Sequence, residues 1–389
     1  MRRRSLLSLL AFALCFTAAT VGAADKLYDP SVLHETRIVM DPADWKALQD
    51  NFRDNTYYGA NVAIDGDVVQ QIGIRSRGKG SRNSIKPAIK LDFNHYVKGQ
   101  NFRNVKNIKV GNVVQDQSMI REFLAMPVFQ AMGIEAPSVS FTRLYINDAY
   151  WGVFNLVEYV DVPFLEARFP SDNAGNLFKF EYTTEYFFSS RGGDAGAYIP
   201  SLFKPETNEN TLDGNQLLGF IQAINGGSDA TFASDISKYI DVQQFLTYIA
   251  IENALAESDG MLGSQGMNNF YIYQNAQNKF YFVPWDKNTS FNSPSWPLLR
   301  NVSANVLARR LLNDATQKQL YASQVKKAAS SFVNAGFLGP KLEAAFTLIR
   351  EAVIADTKKP YSNNDFELAV NGLRGIVAAR QADVAAQVP

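Results

Sequence analysis

The chain is poor in the residues on which much enzyme chemistry depends. Its 389 residues include one cysteine, Cys15, and two histidines, His34 and His95. A disulfide framework and a Cys/His zinc cluster of the usual spacing are therefore excluded, and little remains from which to build a His-assisted nucleophile. An excess of charge is also missing: 38 Lys and Arg stand against 38 Asp and Glu. That balance argues against a basic nucleic-acid binder. Chemistry here must run on carboxylates, amides, lysines and arginines. With 46% hydrophobic and 20% charged residues, the composition is that of a globular chain with a large core.

The first 24 residues have the three parts of an export signal. Arg2, Arg3 and Arg4 precede the apolar run from Leu6 to Phe16, and the small residues Gly22, Ala23 and Ala24 follow. The apolar run is shorter than the roughly 20 residues needed to span a bilayer, and no later stretch is long and apolar enough. The expectation is a secreted or periplasmic protein with no stable membrane span after cleavage, and without cysteine, which suits an oxidising compartment.

The rest of the chain reads as α+β, β-rich first and helical last. Val62-Ala63-Ile64, the turn Asp65-Gly66 and Val68 to Ile74 form a hairpin. A second hairpin runs through SFTRLYI, Asn147-Asp148 and YWGVFNLVEYV, and a third through NFYIY and KFYFVPW. Between the first two, residues 118–132 read as an amphipathic helix with Met119, Phe123, Met126 and Gln130 on one stripe and Pro127 as a local disturbance. Residues 181–232, rich in Gly, Asn, Ser and Thr around a short helix at Leu217 to Ala223, read as an insertion. Asp241 and Gln244 start a helix through Glu257, and from Val302 the pattern is helical to the end.

Four groups of residues are candidates for chemistry. The loop Arg77-Gly78-Lys79-Gly80-Ser81-Arg82 combines glycines with cations, a composition suited to closing around phosphate. It lacks Walker A spacing, and such loops are more often simply solvated turns. In the strand 85–93, alternation sets Lys86, Lys90 and Asp92 on one face. The two lysines lie roughly 13 Å apart along a strand, too far for one phosphate group to engage both there. On the helix 118–132, Glu122 sits at the border of the apolar stripe, placed either to hold a lysine in a cleft or to pair locally at the surface. Finally Glu257-Ser258-Asp259-Gly260, Asn268-Asn269 and Pro284-Trp285-Asp286-Lys287-Asn288 bring hard oxygen ligands suited to Mg²⁺. Their order, Asp then Asn then Asp around a hairpin, repeats that of the catalytic and metal-binding residues of protein kinases. Asp-Gly and Asn-Asn are also ordinary turn formers.

Taken in order, RGKGSR, KPAIKLDF, SMIREFLAMPVFQAMGI, LYINDAYWGVFNLVEYVDVPFL, SDG, NNFYIY and FVPWDKNTSF resemble the CotH (spore-coat protein H) kinase family across roughly residues 35–300. The resemblance implies an atypical protein-kinase-like two-lobed fold and an ATP- and Mg²⁺-dependent phosphotransferase acting on Ser or Thr of an extracytoplasmic envelope or coat protein. It implies a kinase-like domain over residues 25–300, continued by a helical C-lobe region over 301–389. Asp259 would be the catalytic base, and Asp286 and Asn269 the metal ligands. Lys90 or Lys86, Lys90 being the better match, would meet the α/β-phosphates with Glu122 holding it. Arg77, Gly78, Gly80 and Arg82 would cover the phosphates, and Glu158 with Asp161 would border the adenine. Two departures stand out: Asn288 replaces a carboxylate common in the family's WDxD, and the stretch from Asp259 to Asn269 is long. They keep open a catalytically weak or inactive kinase-like binding protein of an envelope or coat. A glycan or peptide hydrolase built on paired carboxylates is the remaining alternative.

Overall fold

The computed structural model describes residues 26–388; the expected export signal lies outside the described residues. The first half is built around a closed barrel of seven strands, β1 (Leu33–Val39), β2 (Tyr58–Ile64), β3 (Asp67–Ser76), β4 (Ile89–Asp92), β5 (Asn107–Gly111), β6 (Val139–Ile146) and β7 (Ala149–Glu158). Their spatial order is β1-β2-β3-β4-β5-β7-β6. Consecutive strands from β1 to β5 pair antiparallel, as do β6 and β7, β5 pairs antiparallel with β7, and closure comes from a parallel pairing of β1 with β6, Leu33 facing Phe141. The turns follow local chemistry. Asp65 and Gly66, like Asn147 and Asp148, have positive φ, as the two-residue hairpin turns of this type require.

Alternation fills the barrel. Ile72, Ile74, Ile89, Leu91, Ile108 and Val110 point inward to one core with Phe154 and Leu156, and helix α1 (Pro42–Asp50) packs Trp45 and Leu48 against it. The residues between them, among them Arg75, Lys90 and Lys109, are left on the outer face. The strand expected over 85–93 is shorter: Lys86 precedes β4, and the extended pairing starts only at Ile89.

The second half gathers a larger core. It comprises α3 (Val162–Arg168), β8 (Asn176–Phe180), β9 (Phe203–Pro205), α4 (Asn215–Asn225), α5 (Phe232–Ile236), α6 (Val242–Ala254), β10 (Phe270–Gln274) and β11 (Phe280–Pro284). The helices α7 (Val306–Leu312), α8 (Ala315–Ser331), α9 (Leu338–Ile354) and α10 (Asn363–Gln387) complete it. The four strands form a sheet of order β11-β10-β8-β9. Residues 181–232 are integral to this half, supplying β9 and the buried Tyr186, Phe188, Phe203 and Phe220. Asp241 caps α6 by accepting from the Gln244 amide at 3.1 Å, and the helix ends at Ala254, before the expected Glu257.

Helix α2 (Arg121–Ala131) joins the halves. It starts later than the hydrophobic pattern predicts because Asp116 accepts from the amides of Ser118 and Arg121, capping the turn before it. It is buried on nearly every side, with Phe123 against Phe141 of the barrel and Phe129 against Tyr248 of α6. Its Glu122 is thereby held in the interior, where α2 packs between β6 and α6.

A latch fixes the C-terminal helices to the barrel. Lys86, 1% exposed, donates to Asp356 just beyond α9 at 2.5 Å and to the Val153 carbonyl at 2.9 Å. Gly152 has φ +107°, and a side chain there would overlap the Asp356 carboxylate, so the close approach needs glycine.

Candidate active site

The cleft between the halves has a volume of about 510 Å³. One wall is the loop of residues 77–82 with Arg75. The other is the β8–β9 end of the four-stranded sheet with Lys179, Glu181, Lys204 and Glu206, and Asp259, Asn268, Asn269, Trp285, Asp286 and Asn288 form its base. A narrow recess continues it behind Arg77 and Ser81 to Lys109, Glu122 and Asp286.

In that recess three charges meet. Lys109 of β5 donates to both oxygens of Glu122, at 2.9 and 3.1 Å, and to Asp286 Oδ1 at 2.8 Å. Burial raises the Glu122 carboxyl above its ordinary value, Lys109 opposes this, and the Asp286 charge adds to it. At Asp286 burial pushes in the same direction, but Lys109 and then Arg77 outweigh it and hold the group below its ordinary value. The Asp286 φ of +52° marks a backbone held in the left-handed region next to Trp285, whose ring lies 5.1 Å from the Lys109 ammonium and 5.4 Å from the Arg77 guanidinium.

The lysine that Glu122 holds is therefore neither of the two singled out from sequence. Lys86 is committed to Asp356, and Lys90 donates to Asp92 at 3.2 Å between the rings of Tyr57 and Tyr159. The reason is register: Lys90 of β4 lies directly opposite Lys109 of β5, and Lys109 is the strand neighbour nearer α2 and Asp286. The signal for Lys109 was present as Ile108 and Val110 flanking it, the same alternation that marks Lys90.

Asp259 and Asn269 form a second cluster at the base. Asn269 Nδ2 donates to the Asp259 carbonyl at 3.0 Å and to its Oδ2 at 2.9 Å, and Asn268 Nδ2 donates to the same carboxylate at 3.1 and 3.2 Å. Burial raises the Asp259 carboxyl, Asn268 opposes, and the nearby Glu257 charge adds to the rise. The support under this cluster is buried and ionic. Glu257 accepts from the Asp259 amide at 2.8 Å, from Ser290 at 2.7 Å and from Thr289. Lys287, fully buried, donates to Glu252 at 2.6 Å and to the Asn269 carbonyl at 2.9 Å. Neither Glu252 nor Lys287 was singled out by sequence pattern, although both fix where the cluster sits.

The basic loop divides by role. Arg77 is 9% exposed and faces Trp285 and Asp286. Gly78 has φ +101°, and a Cβ there would overlap the Ser81 hydroxyl, whereas one at Gly80 would make only ordinary contact. Arg82 ties the loop to its surroundings by donating to the carbonyls of Gly78 at 2.8 Å and Asp54 at 2.7 Å and to Asn55. Lys79 crosses the mouth of the cleft to the Tyr182 carbonyl. Glu158 is not part of the cleft wall. It accepts from the Ser138 amide and from Arg168, both at 2.9 Å, on the face opposite Tyr159, which does line the cleft. Asp161 accepts from Asn107 at 2.8 Å, and burial pushes it up to about 7 against the Asn107 bond.

Among the described residues no group of three or more His, Cys, Asp and Glu is arranged to hold a metal ion. Oxygen donors at the base of the cleft include Asp286, Asp259 and the Asn269 amide oxygen, left as that side chain's remaining polar atom once its nitrogen is spent on Asp259.

Comparison with known proteins places the chain. It is 23% identical over 349 residues to the inner spore coat protein H of Bacillus subtilis, covering 85% of this chain and 90% of that one. It is 24% identical over 347 residues to spore coat protein homolog 1 of Rhizopus delemar, covering 82% of this chain and 54% of that one. It is 24% identical over 258 residues to invasin CotH7 of the same organism, covering 61% and 41%. The chain thus spans nearly all of the bacterial relative and about half or less of the fungal ones. A family model described as CotH kinase protein matches residues 74–384, from strand β3 through almost all of α10, so the chain belongs to the CotH kinase protein family.

Proposed function

We propose that the chain is a CotH-type atypical kinase that transfers the γ-phosphoryl of ATP to Ser or Thr hydroxyls of an extracytoplasmic protein. In this reading the barrel and the helical half are the two lobes of a kinase-like fold, and the cleft between them holds the nucleotide. The observation that carries it is the recess in which Lys109 bridges Glu122 and Asp286, with Asp259 and Asn269 at the base of the same cleft. A buried lysine on a strand, a helical Glu that holds it and a metal-binding Asp are parts that phosphoryl transfer needs. The spore-coat and invasin names of the relatives support a place outside the cytoplasm.

Magnesium suits the donor chemistry: the ionised carboxylate of Asp286 and the amide oxygen of Asn269 are hard ligands. When bound, the ion would neutralise charge on the β- and γ-phosphates. The protein's own contributions can be assigned by position. Lys109, fixed by Glu122, meets phosphate oxygens, and Arg77 with the amides of its loop covers them. Asp259 orients the acceptor hydroxyl and takes its proton, a task helped by the upward shift that burial gives its carboxyl. Glu257 and the Lys287–Glu252 pair hold Asp259 and Asn269 in place without touching substrate.

The experiment is a pair of measurements on one set of variants. MgATP is expected to raise the melting temperature of the wild type, and Asp286→Asn to abolish that rise. Asp259→Asn is expected to keep the rise and lose [γ-³²P]ATP incorporation into a co-secreted partner. Incorporation unchanged in both variants would sink the assignment. Asn288 in place of a carboxylate favours a second reading, a kinase-like binding protein of an envelope or coat. Absence of any Mg²⁺-linked response to ATP in the wild type would select it.

A further inference from the structure

Consecutive residues of α2 act on the two ends of one segment. The segment runs from Asp286 to Phe291, whose φ angles are +52° and +61°. Non-glycine residues keep such angles only where their surroundings over-determine them. The helical half supplies part of that hold. Glu252 accepts from Lys287, Glu257 from Thr289 and Ser290, and the Leu255 carbonyl from the Phe291 amide at 2.6 Å. From the other side Glu122 acts on Asp286 through Lys109, which donates to both. Arg121, one position earlier, donates from its guanidinium to the Ser290 carbonyl at 2.9 Å. Neighbours on a helix point about 100° apart, so one turn of α2 serves both ends at once.

The Arg121 guanidinium is aimed by a buried carboxylate. Asp116 accepts from the Arg121 amide at 2.9 Å, and its other oxygen lies 3.4 Å from Arg121 Nε. Asp116 is itself fixed, since it accepts from the Ser118 amide and hydroxyl at 2.9 and 2.6 Å, and Tyr361 donates to its carbonyl at 3.2 Å. Beyond Ser290 the bonds continue to the base of the cleft. The Ser290 hydroxyl donates to one oxygen of Glu257 at 2.7 Å, and the Asp259 amide donates to the other at 2.8 Å. Glu257 is 3% exposed, so both bonds are made to a carboxylate largely withdrawn from water, where charge-assisted bonds are strong. Three hydrogen bonds thus separate Arg121 from Asp259. Arg121 lines neither the cleft nor its recess, so it is placed to act on other residues and not on a ligand.

We propose that Arg121 is a positioning residue for Asp259. Through Ser290 and Glu257 it fixes the Asp259 backbone, so the docking of α2 that sets Glu122 on Lys109 also sets the carboxylate that faces the acceptor hydroxyl. The inference rests on the phosphoryl-transfer reading above and adds to it a residue outside the cleft.

The test compares Arg121→Met, Ser290→Ala and the double variant with wild type on the full chain, by transfer kinetics and by the MgATP-linked rise in melting temperature. Each single variant is expected to lower kcat by about 10- to 100-fold and to leave KM for MgATP within about threefold. Each is also expected to keep the MgATP rise, because Lys109, Glu122 and Asp286 still touch one another directly. The double variant should be no slower than the slower single one, since both changes interrupt one path. Should Arg121→Met fail to fold, Arg121→Lys decides in its place: it keeps the charge beside Asp116 but gives up the planar fork that spans Asp116 and Ser290, and a loss of about tenfold in kcat is expected. An unchanged kcat, losses that multiply in the double variant, or loss of the MgATP rise would overturn the inference and leave the kinase reading standing. Absence of transfer by the wild type would remove both.

Discussion

Replacing Lys109 by Met is the sharpest probe of the recess. The substitution keeps the unbranched stem and removes the one cation that touches both Glu122 and Asp286. At an effective dielectric of about 20, a unit pair near 3 Å is worth on the order of 5 kcal/mol before desolvation is counted. Removing one partner of a buried pair costs about 3–5 kcal/mol, because the other charge stays behind unpaired. Glu122, 2% exposed and already raised by burial, relieves part of this by taking up a proton, so a loss of about 3 kcal/mol is expected at neutral pH. The sign with pH follows. A carboxyl whose value in the folded state lies above its unfolded value stabilises the fold when protonated, and that stability is lost as pH rises from the unfolded value through the folded one. The deficit of Lys109→Met relative to wild type should therefore be smaller at pH 5 than at pH 8. Urea denaturation followed by tryptophan fluorescence measures it, and Trp285 lies beside the mutated group. The double variant Lys109→Met, Glu122→Met should recover part of the loss, since an apolar pair of similar volume is often tolerated in place of a buried ion pair. A deficit under about 1 kcal/mol, the range of an exposed pair, or one equal at both pH values, would refute the buried bridge.

Other outcomes are expected elsewhere in the chain. Lys287→Met leaves Glu252 buried without its cation and frees the Asn269 carbonyl, so a loss of about 3–5 kcal/mol is expected, with Glu252→Gln in the same background restoring part of it in the same urea assay. Gly152→Ala puts a Cβ into the Asp356 carboxylate at a positive φ; its melting temperature should fall, whereas Gly80→Ala, which meets only ordinary contact, should melt near wild type. Asp161, pushed up to about 7 by burial, holds a proton in the fold that the unfolded chain releases near pH 4. Stability should therefore fall as pH rises from about 4 to 7, and Asp161→Asn should flatten that slope in melts taken across the range. Arg82→Ala removes the bonds to Gly78, Asp54 and Asn55, so limited proteolysis should cut the 77–82 loop faster than in wild type without a matching fall in melting temperature.

Chain-local physics was legible from the residues alone. The positive-φ turns at Asp65-Gly66 and Asn147-Asp148, the cap at Asp241 and the alternation of β4 follow from interactions within a few positions, so the hairpins, α6 and the helical C-terminal part were readable. The order of motifs around Asp259, Asn269 and Asp286 was readable as well, and the fold brings these residues to one cleft. Barrel closure was not readable, because the parallel pairing of β1 with β6 joins segments more than 100 residues apart and leaves no periodic trace in either. The partner of Glu122 was likewise undetermined. Alternation marks Lys90 and Lys109 alike, and only strand register with the docking of α2 against β6 and α6 decided between them. Glu158 shows the converse limit, since one step along an extended backbone turns a side chain to the opposite face, and the cleft received Tyr159 instead. The sequence determined which residue types were available and which segments would be strands, turns or helices, because those choices are made over a few ångströms. Which charges would be stripped of water and set against each other was decided only by tertiary packing, because burial and pairing belong to the whole chain.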